Sequence, residues 1–187
     1  MTKFWYFTFF ILIQVTAYTS APGQEKYVDS LKKWIRDHPK VDSQYILTLH
    51  RISYRTSESD VKTSFEYYEK VTTYSNELNF TYGKALAQIN LGILLSNSAN
   101  FDASNAAYFK AIEYAQSINS RRLISVCYNN IGENFRSLKD LSKCREYTRK
   151  AIDINKQLKA WRGVAINYEL LQQCDLSENL FASAKKN

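Results

Sequence analysis

Asn90-Leu91-Gly92 and Asn130-Ile131-Gly132 are nearly the same phrase written forty residues apart. Lys110-Ala111-Ile112 returns as Lys150-Ala151-Ile152 at that same offset. Extending the register aligns Ser64, Ser104, Cys144 and Ala184, four small side chains in phase, with Val61, Phe101, Leu141 and Phe181 three residues ahead of them. Lys70-Val71 joins the Lys-Ala column, and Tyr68, Tyr108 and Thr148 form another. A fixed period of this length marks stacked supersecondary units, each burying its apolar face on the next.

Each period reads as two amphipathic helices. Leu86, Ile89, Ile93 and Leu94 recur at spacings of three and four, as one helix face requires. Ser96 to Asn100 is a turn, and Ala107, Tyr108, Ala111, Ile112 and Ala115 mark the returning helix. The third period repeats this with Ile124, Tyr128, Ile131 and Phe135, a turn at Lys139-Asp140, then Leu141, Tyr147, Ala151, Ile154 and Leu158. In the first, Ile46, Leu49 and Ile52 precede a helix from Val61 to Leu78 that starts behind the N-cap residue Asp60. Ahead of it, Tyr27 to Arg36 is a short helix stopped at His38-Pro39. After Trp161 a helix is expected to reach Gln173, followed by a short second helix docking through Phe181 and Ala184. That would leave an exposed apolar edge open to self-association or to a further C-terminal region.

Five Gly and two Pro in 187 residues fit helices joined by short turns. Gly92 and Gly132 nevertheless fall in mid-helix, where Gly costs about 1 kcal/mol relative to Ala. A missing side chain there lets the returning helix approach, with Ser104 and Cys144 as its small partners. The expected fold is all-α, a solenoid of tandem helix-turn-helix repeats at 41–80, 81–120, 121–160 and, in part, 161–187, behind a capping helix at 24–40.

Residues 1–23 read as an export signal. Lys3 precedes the apolar run Phe4 to Val15, and Ala21 and Gly23 are spaced like a signal-peptidase site. An uncleaved anchor is the alternative, although the run is shorter than the roughly 20 residues needed to cross a bilayer. The chain is therefore expected to be exported, periplasmic or membrane-associated, touching the membrane only through this segment or a C-terminal region. The net charge of +7 is scattered, with no continuous basic face for nucleic acid.

Three cysteines are an odd count, so they form no complete disulfide framework. Cys127, Cys144 and Cys174 are expected as small buried core residues, with a Cys144–Cys174 bridge at a repeat junction as the alternative. Tyr68, Tyr108, Tyr128 and Tyr168 fall in packing columns and are expected in the core, whereas Tyr67 and Tyr82 lie off them and are expected exposed. His38 reads as a helix-stop residue and His50 as part of a surface helix face. Two histidines provide no metal spacing, and no phosphate-cradling glycine loop or nucleophile elbow occurs. The carboxylates are dispersed, so no catalytic residues, metal or cofactor are expected.

These motifs resemble the tetratricopeptide repeat family. Its pattern of Leu-Gly, an aromatic three on, a small residue twelve after the Gly, an aromatic and an Ala reads here as Leu91-Gly92, Leu95, Ser104, Tyr108 and Ala111. It returns as Ile131-Gly132, Phe135, Cys144, Thr148 and Ala151. The period of 40 exceeds the family's 34, Gln88 and Tyr128 replace its early Trp, and no Pro closes the repeat. The resemblance implies a right-handed solenoid whose concave groove binds a protein or peptide.

In that family the position two before the repeat Gly, here Asn90 and Asn130, hydrogen-bonds an extended peptide, and Asn carries both the donor and the acceptor a peptide group needs. Helix geometry adds Leu86, Ile93, Asn97, Val126, Asn129, Glu133 and Arg136 to the same face. The family's basic carboxylate clamp is not matched, since Ile89 and Ile93 stand where it has Lys and Asn. The layout, with Asp29-Ser30-Leu31 ahead of the repeats, also resembles the exported sensor region of bacterial membrane-attached signalling proteins. A link to signalling is the expectation, with an envelope scaffold as the alternative.

Overall fold

The computed structural model describes residues 22–184, and among them every regular element is a helix. In chain order these are α1 (Pro22–Asp37), α2 (Ser43–Thr56), α3 (Val61–Glu77), α4 (Thr81–Asn97), α5 (Phe101–Ser117), α6 (Arg121–Ser137), α7 (Leu141–Gln157) and α8 (Trp161–Ala184). The expected signal segment lies outside the described residues, apart from Pro22 and Gly23, which open α1.

From α3 to α7 every helix is 17 residues long and begins twenty residues after the last. The terminator is the same each time. Asn79, Ala99, Asn119, Lys139 and Lys159 all take positive φ, between 47° and 62°. The next residue's N–H then reaches back to the fifth carbonyl before it: Phe80 to Ser75 at 2.8 Å, Asn100 to Leu95 at 2.9 Å, Ser120 to Ala115 at 2.8 Å. This left-handed cap satisfies the last carbonyls and reverses the chain. Asp42, Asp60 and Asp140 supply N-caps, their carboxylates accepting from the backbone N–H three residues on. His38 stacks on Trp34 at 4.1 Å, just beyond the end of α1.

Consecutive helices pack as antiparallel neighbours along the whole array. The even helices also meet each other, α2 with α4, α4 with α6 and α6 with α8, whereas α3, α5 and α7 do not. The even row is thus the inner, concave side of an all-α helical repeat solenoid. Val28 and Leu31 of α1 stand forty residues before Tyr68 and Val71, and both are buried. The expected capping helix therefore carries the repeat's own outer-row pattern.

Small residues sit where helices close. Ser64, Ser104 and Cys144 have no exposure. A Cβ on Gly92 would stand 2.5 Å from the Tyr108 ring, and one on Gly132 would stand 2.7 Å from Thr148 Oγ1. Ser104 Oγ donates to the Gly92 carbonyl at 2.7 Å, binding the two helices at the notch. Around it pack Ala85, Leu86, Ile89, Tyr108, Ala111 and Ile131, the main core. Gly92→Ala separates two effects of opposite sign: helix propensity favours Ala by about 1 kcal/mol, while overpacking against Tyr108 costs roughly 1–3 kcal/mol. Denaturant unfolding is expected to show net destabilisation; a gain in stability would refute the notch.

Four expectations change at this stage. The last helix does not break after Gln173: α8 runs unbroken for 24 residues. No Gly or Pro lies between Val164 and Ala184, and α8 carries Gln172 where α4 and α6 have their Gly. The expected docking through Phe181 and Ala184 concerns side chains outside the described ones. Cys144 and Cys174 form a disulfide rather than lying free, with Cα atoms 6.7 Å apart across the α7–α8 junction. Arg145 adds ion pairs to Asp175 at 2.8 Å and to Glu178. Cys127 stays a buried free thiol, pushed up to about 12 by desolvation.

Tyr108 is in the core as expected and Tyr68 and Tyr128 are half-buried, but Tyr168 is exposed because no described helix packs on that face of α8. Tyr67 and Tyr82, expected exposed, are half-buried against the core clusters. The disulfide closes a span of 30 residues, which the chain-entropy account values at about 3–4 kcal/mol. Reduction, or Cys174→Ala, is expected to lower stability by that order and to raise hydrogen exchange in the second half of α8 first. Uniform loss along the chain would contradict a local tie.

Candidate functional site

A cleft of about 340 Å³ lies on the inner row. Its near wall is Gln24 of α1 with Tyr54, Arg55, Ser57 and Glu58 at the end of α2; its far wall is Asn130, Glu133 and Asn134 of α6. Ile93, Ser96 and Asn97 of α4 and the Tyr108 ring lie between them. Equivalent C-terminal turns of successive inner helices converge there because the array curves toward that side.

Most of the lining is uncharged and polar. Asn134 is the best-anchored member. Its Nδ2 donates to Ser104 Oγ and to Asn105 Oδ1, each at 2.8 Å, and its Oδ1 accepts from Ser96 Oγ at 2.7 Å. Asn97 Nδ2 donates to the Ser57 carbonyl at 2.9 Å, joining α4 to the end of α2 across one repeat. Gln24 Nε2 donates to the Arg55 carbonyl at 2.6 Å and closes the near end. Arg55 lies over the Tyr27 and Tyr54 rings, 5.7 and 5.8 Å from their centroids. Burial raises the Tyr108 hydroxyl above its ordinary range, while hydrogen bonding from Ser104 and Asn130 works against that. Asn130 is half-buried.

Of the sequence-predicted groove residues, Ile93, Asn97, Asn130 and Glu133 line the cleft. Arg136 stands beside it, its Nε 3.0 Å from Glu133 Oε1 in an ion pair that neutralises both. Leu86 and Asn90 are corrections: both are buried, Leu86 in the main core and Asn90 at 2% exposure. The reason is closeness, since α4 packs more tightly on its inner neighbour α2 than α6 does on α4 or α8. Asn129 faces away from the cleft and accepts from Asn167 Nδ2 at 2.6 Å, and Asn167 Oδ1 in turn accepts from Asn155 Nδ2 at 2.8 Å. Val126 is 39% exposed but outside the lining. Its column, closed at Ile46 and Leu86, opens at Val126 and Ile166.

Sequence reasoning missed Gln24, the end of α2, and Asn134. One signal was present: Asn134 replaces Leu94 forty residues on, and an amide in an apolar column must find partners. His50 is also a correction, because it belongs to the Asn90–Asn130 column and its Nδ1 is buried. Neither that nitrogen nor the Asn90 amide has a hydrogen-bond partner among the described residues. Among the described residues no group of three His, Cys, Asp or Glu is placed to hold a metal, and no helix is long and apolar enough to cross a membrane. The chain matches no protein-family model, no curated protein and no solved structure.

Desolvation pushes His50 down to about 4 from 6.5, opposed by the Asn90 amide and assisted by Arg51. The folded state thus prefers neutral His50. Its contribution is intact above the unfolded value near 6.5 and is lost as pH falls from there toward 4, by up to about 3 kcal/mol. Unfolding midpoints measured over that range are expected to drop steeply for the wild type and less for His50→Phe. Parallel profiles would show that another group carries the dependence.

Proposed function

We propose that this chain is a non-catalytic binding module of the tetratricopeptide type whose inner cleft takes an extended segment of a protein partner. The observation that carries this reading is the lining. Gln24, Ser57, Ser96, Asn97, Asn130 and Asn134 surround an open cleft, and amide and hydroxyl groups match the alternating donors and acceptors of a peptide backbone. Ile93 and the Tyr54 ring add apolar contact, and Arg55 with Glu58 and Glu133 add charges of both signs. Asn134 is held by three neighbours and so presents a fixed wall. Such preorganisation limits the ordering cost of binding.

The resemblance to exported sensor regions supports a place outside the cytoplasmic membrane within a signalling assembly, where the partner segment would belong to another component. The exposed column of Val126 and Ile166 continues the inner face past the cleft and suits an apolar side chain of that segment.

Selection of displayed random peptides on the full chain, followed by calorimetry, tests the reading. A selected peptide is expected to lose about five- to tenfold in affinity with Asn130→Ala, the worth of one hydrogen bond. Lys84→Ala, near the start of α4 and at the opposite edge from the cleft, should leave it unchanged. Failure to select any peptide whose binding depends on Asn130 would remove the cleft from consideration.

A further inference from the structure

In an array of antiparallel helices every odd-to-even turn lies at one edge and every even-to-odd turn at the other. The two edges differ sharply in charge. Within four residues of the turns at 78–80, 118–120 and 158–160 stand Lys84, Arg121, Arg122, Lys156, Lys159 and Arg162, against the single carboxylate Glu77. Among the described residues none of these six forms an ion pair; Lys84 bonds the Asn79 amide at 2.8 Å, Arg121 the Gln157 amide and Lys156 the Tyr168 hydroxyl at 3.0 Å. The α1–α2 connection at this edge is balanced, Arg36 and Lys40 facing Asp37 and Asp42. At the opposite edge the same count gives five cations against four carboxylates, and Arg136 and Lys143 are tied to Glu133 and Asp140.

The basic edge also carries apolar tips. Leu78 and Leu158 are the same repeat position, 48% and 41% exposed, and Trp161 beside Leu158 is 65% exposed. The left-handed residues Asn79 and Lys159 turn the chain directly after these leucines, so each projects where the outer helix ends. Protruding Leu and Trp ringed by unpaired cations suit a bilayer interface: the apolar groups enter the acyl boundary and the cations meet anionic headgroups. A nucleic acid would use the cations but has no place for leucines at turn tips. We infer that this edge docks the solenoid on an anionic lipid surface, independently of the cleft.

Flotation of the full chain with vesicles tests this, comparing phosphatidylcholine alone with a phosphatidylglycerol mixture. The apolar run from Phe4 to Val15 would contribute to both, so the readout is the anionic-to-neutral ratio. That ratio is expected to be about tenfold or more for the wild type and to fall near unity for Arg121→Glu/Arg122→Glu. Leu158→Ser/Trp161→Ser should lower binding to the anionic vesicles about fivefold. Lys62→Glu/Lys143→Glu, at the other edge, should keep the wild-type ratio, with circular dichroism confirming helix in every variant. A wild-type ratio near unity, or equal losses in both charge variants, would overturn the assignment. So would binding of a single-stranded oligonucleotide in place of vesicles that is indifferent to the Leu158/Trp161 change.

Discussion

A residue in the left-handed region every twenty positions governs the rest of the molecule. Asn79, Ala99, Asn119, Lys139 and Lys159 end their helices with the same cap, so each connection turns the chain in the same way. Equal helices joined by equal turns place residue n beside residue n + 40, and that is what makes columns. Only then can Gly92 meet Tyr108 and Ser104 reach the Gly92 carbonyl. None of the five positions is glycine, so Ala99 and the lysines hold a conformation that costs a residue with a Cβ about 1 kcal/mol or more. Packing of the helices on both sides must cover that cost.

The interior is unusually rich in amides, and they fall into two kinds. Asn134 and the Asn155–Asn167–Asn129 chain are bonded across three successive helices each, which locks the sliding register of α6 against α4 and α5 and of α8 against α6 and α7. Asn90 and His50 leave buried hydrogen-bonding capacity unmet, at a cost of order 1–3 kcal/mol per group. That conflict lies in the same column as Asn130, on the side of the array that holds the cleft. Local rules are often broken beside functional surfaces.

The ends of the array are treated differently. At the start, α1 repeats the outer-row pattern and shields α2. At the other end α8 has Gln172 in place of the notch glycine, extends beyond the repeat length, and is pinned to α7 by the Cys144–Cys174 bridge and the Arg145 ion pairs. Trp161, Ile166 and Tyr168 of α8 are exposed.

The sequence by itself determined the helical class, the period, the bounds of the central helices, the small-residue columns and the N-cap at Asp60, because these depend on spacing and on contacts within or between adjacent helices. It also identified Ile93, Asn97, Asn130 and Glu133 as one face. Which of that face is open was decided only by the tertiary structure. Periodicity assigns the same environment to Leu86 and Val126, or to Asn90 and Asn130, yet α4 packs closely on α2 whereas α6 leaves part of its inner face to solvent. The Cys144–Cys174 bridge, the reach of α8, and the approach of Gln24 and the end of α2 to Asn134 likewise require residues far apart in the chain to meet. A column read from one dimension has no knowledge of where the array curves or stops.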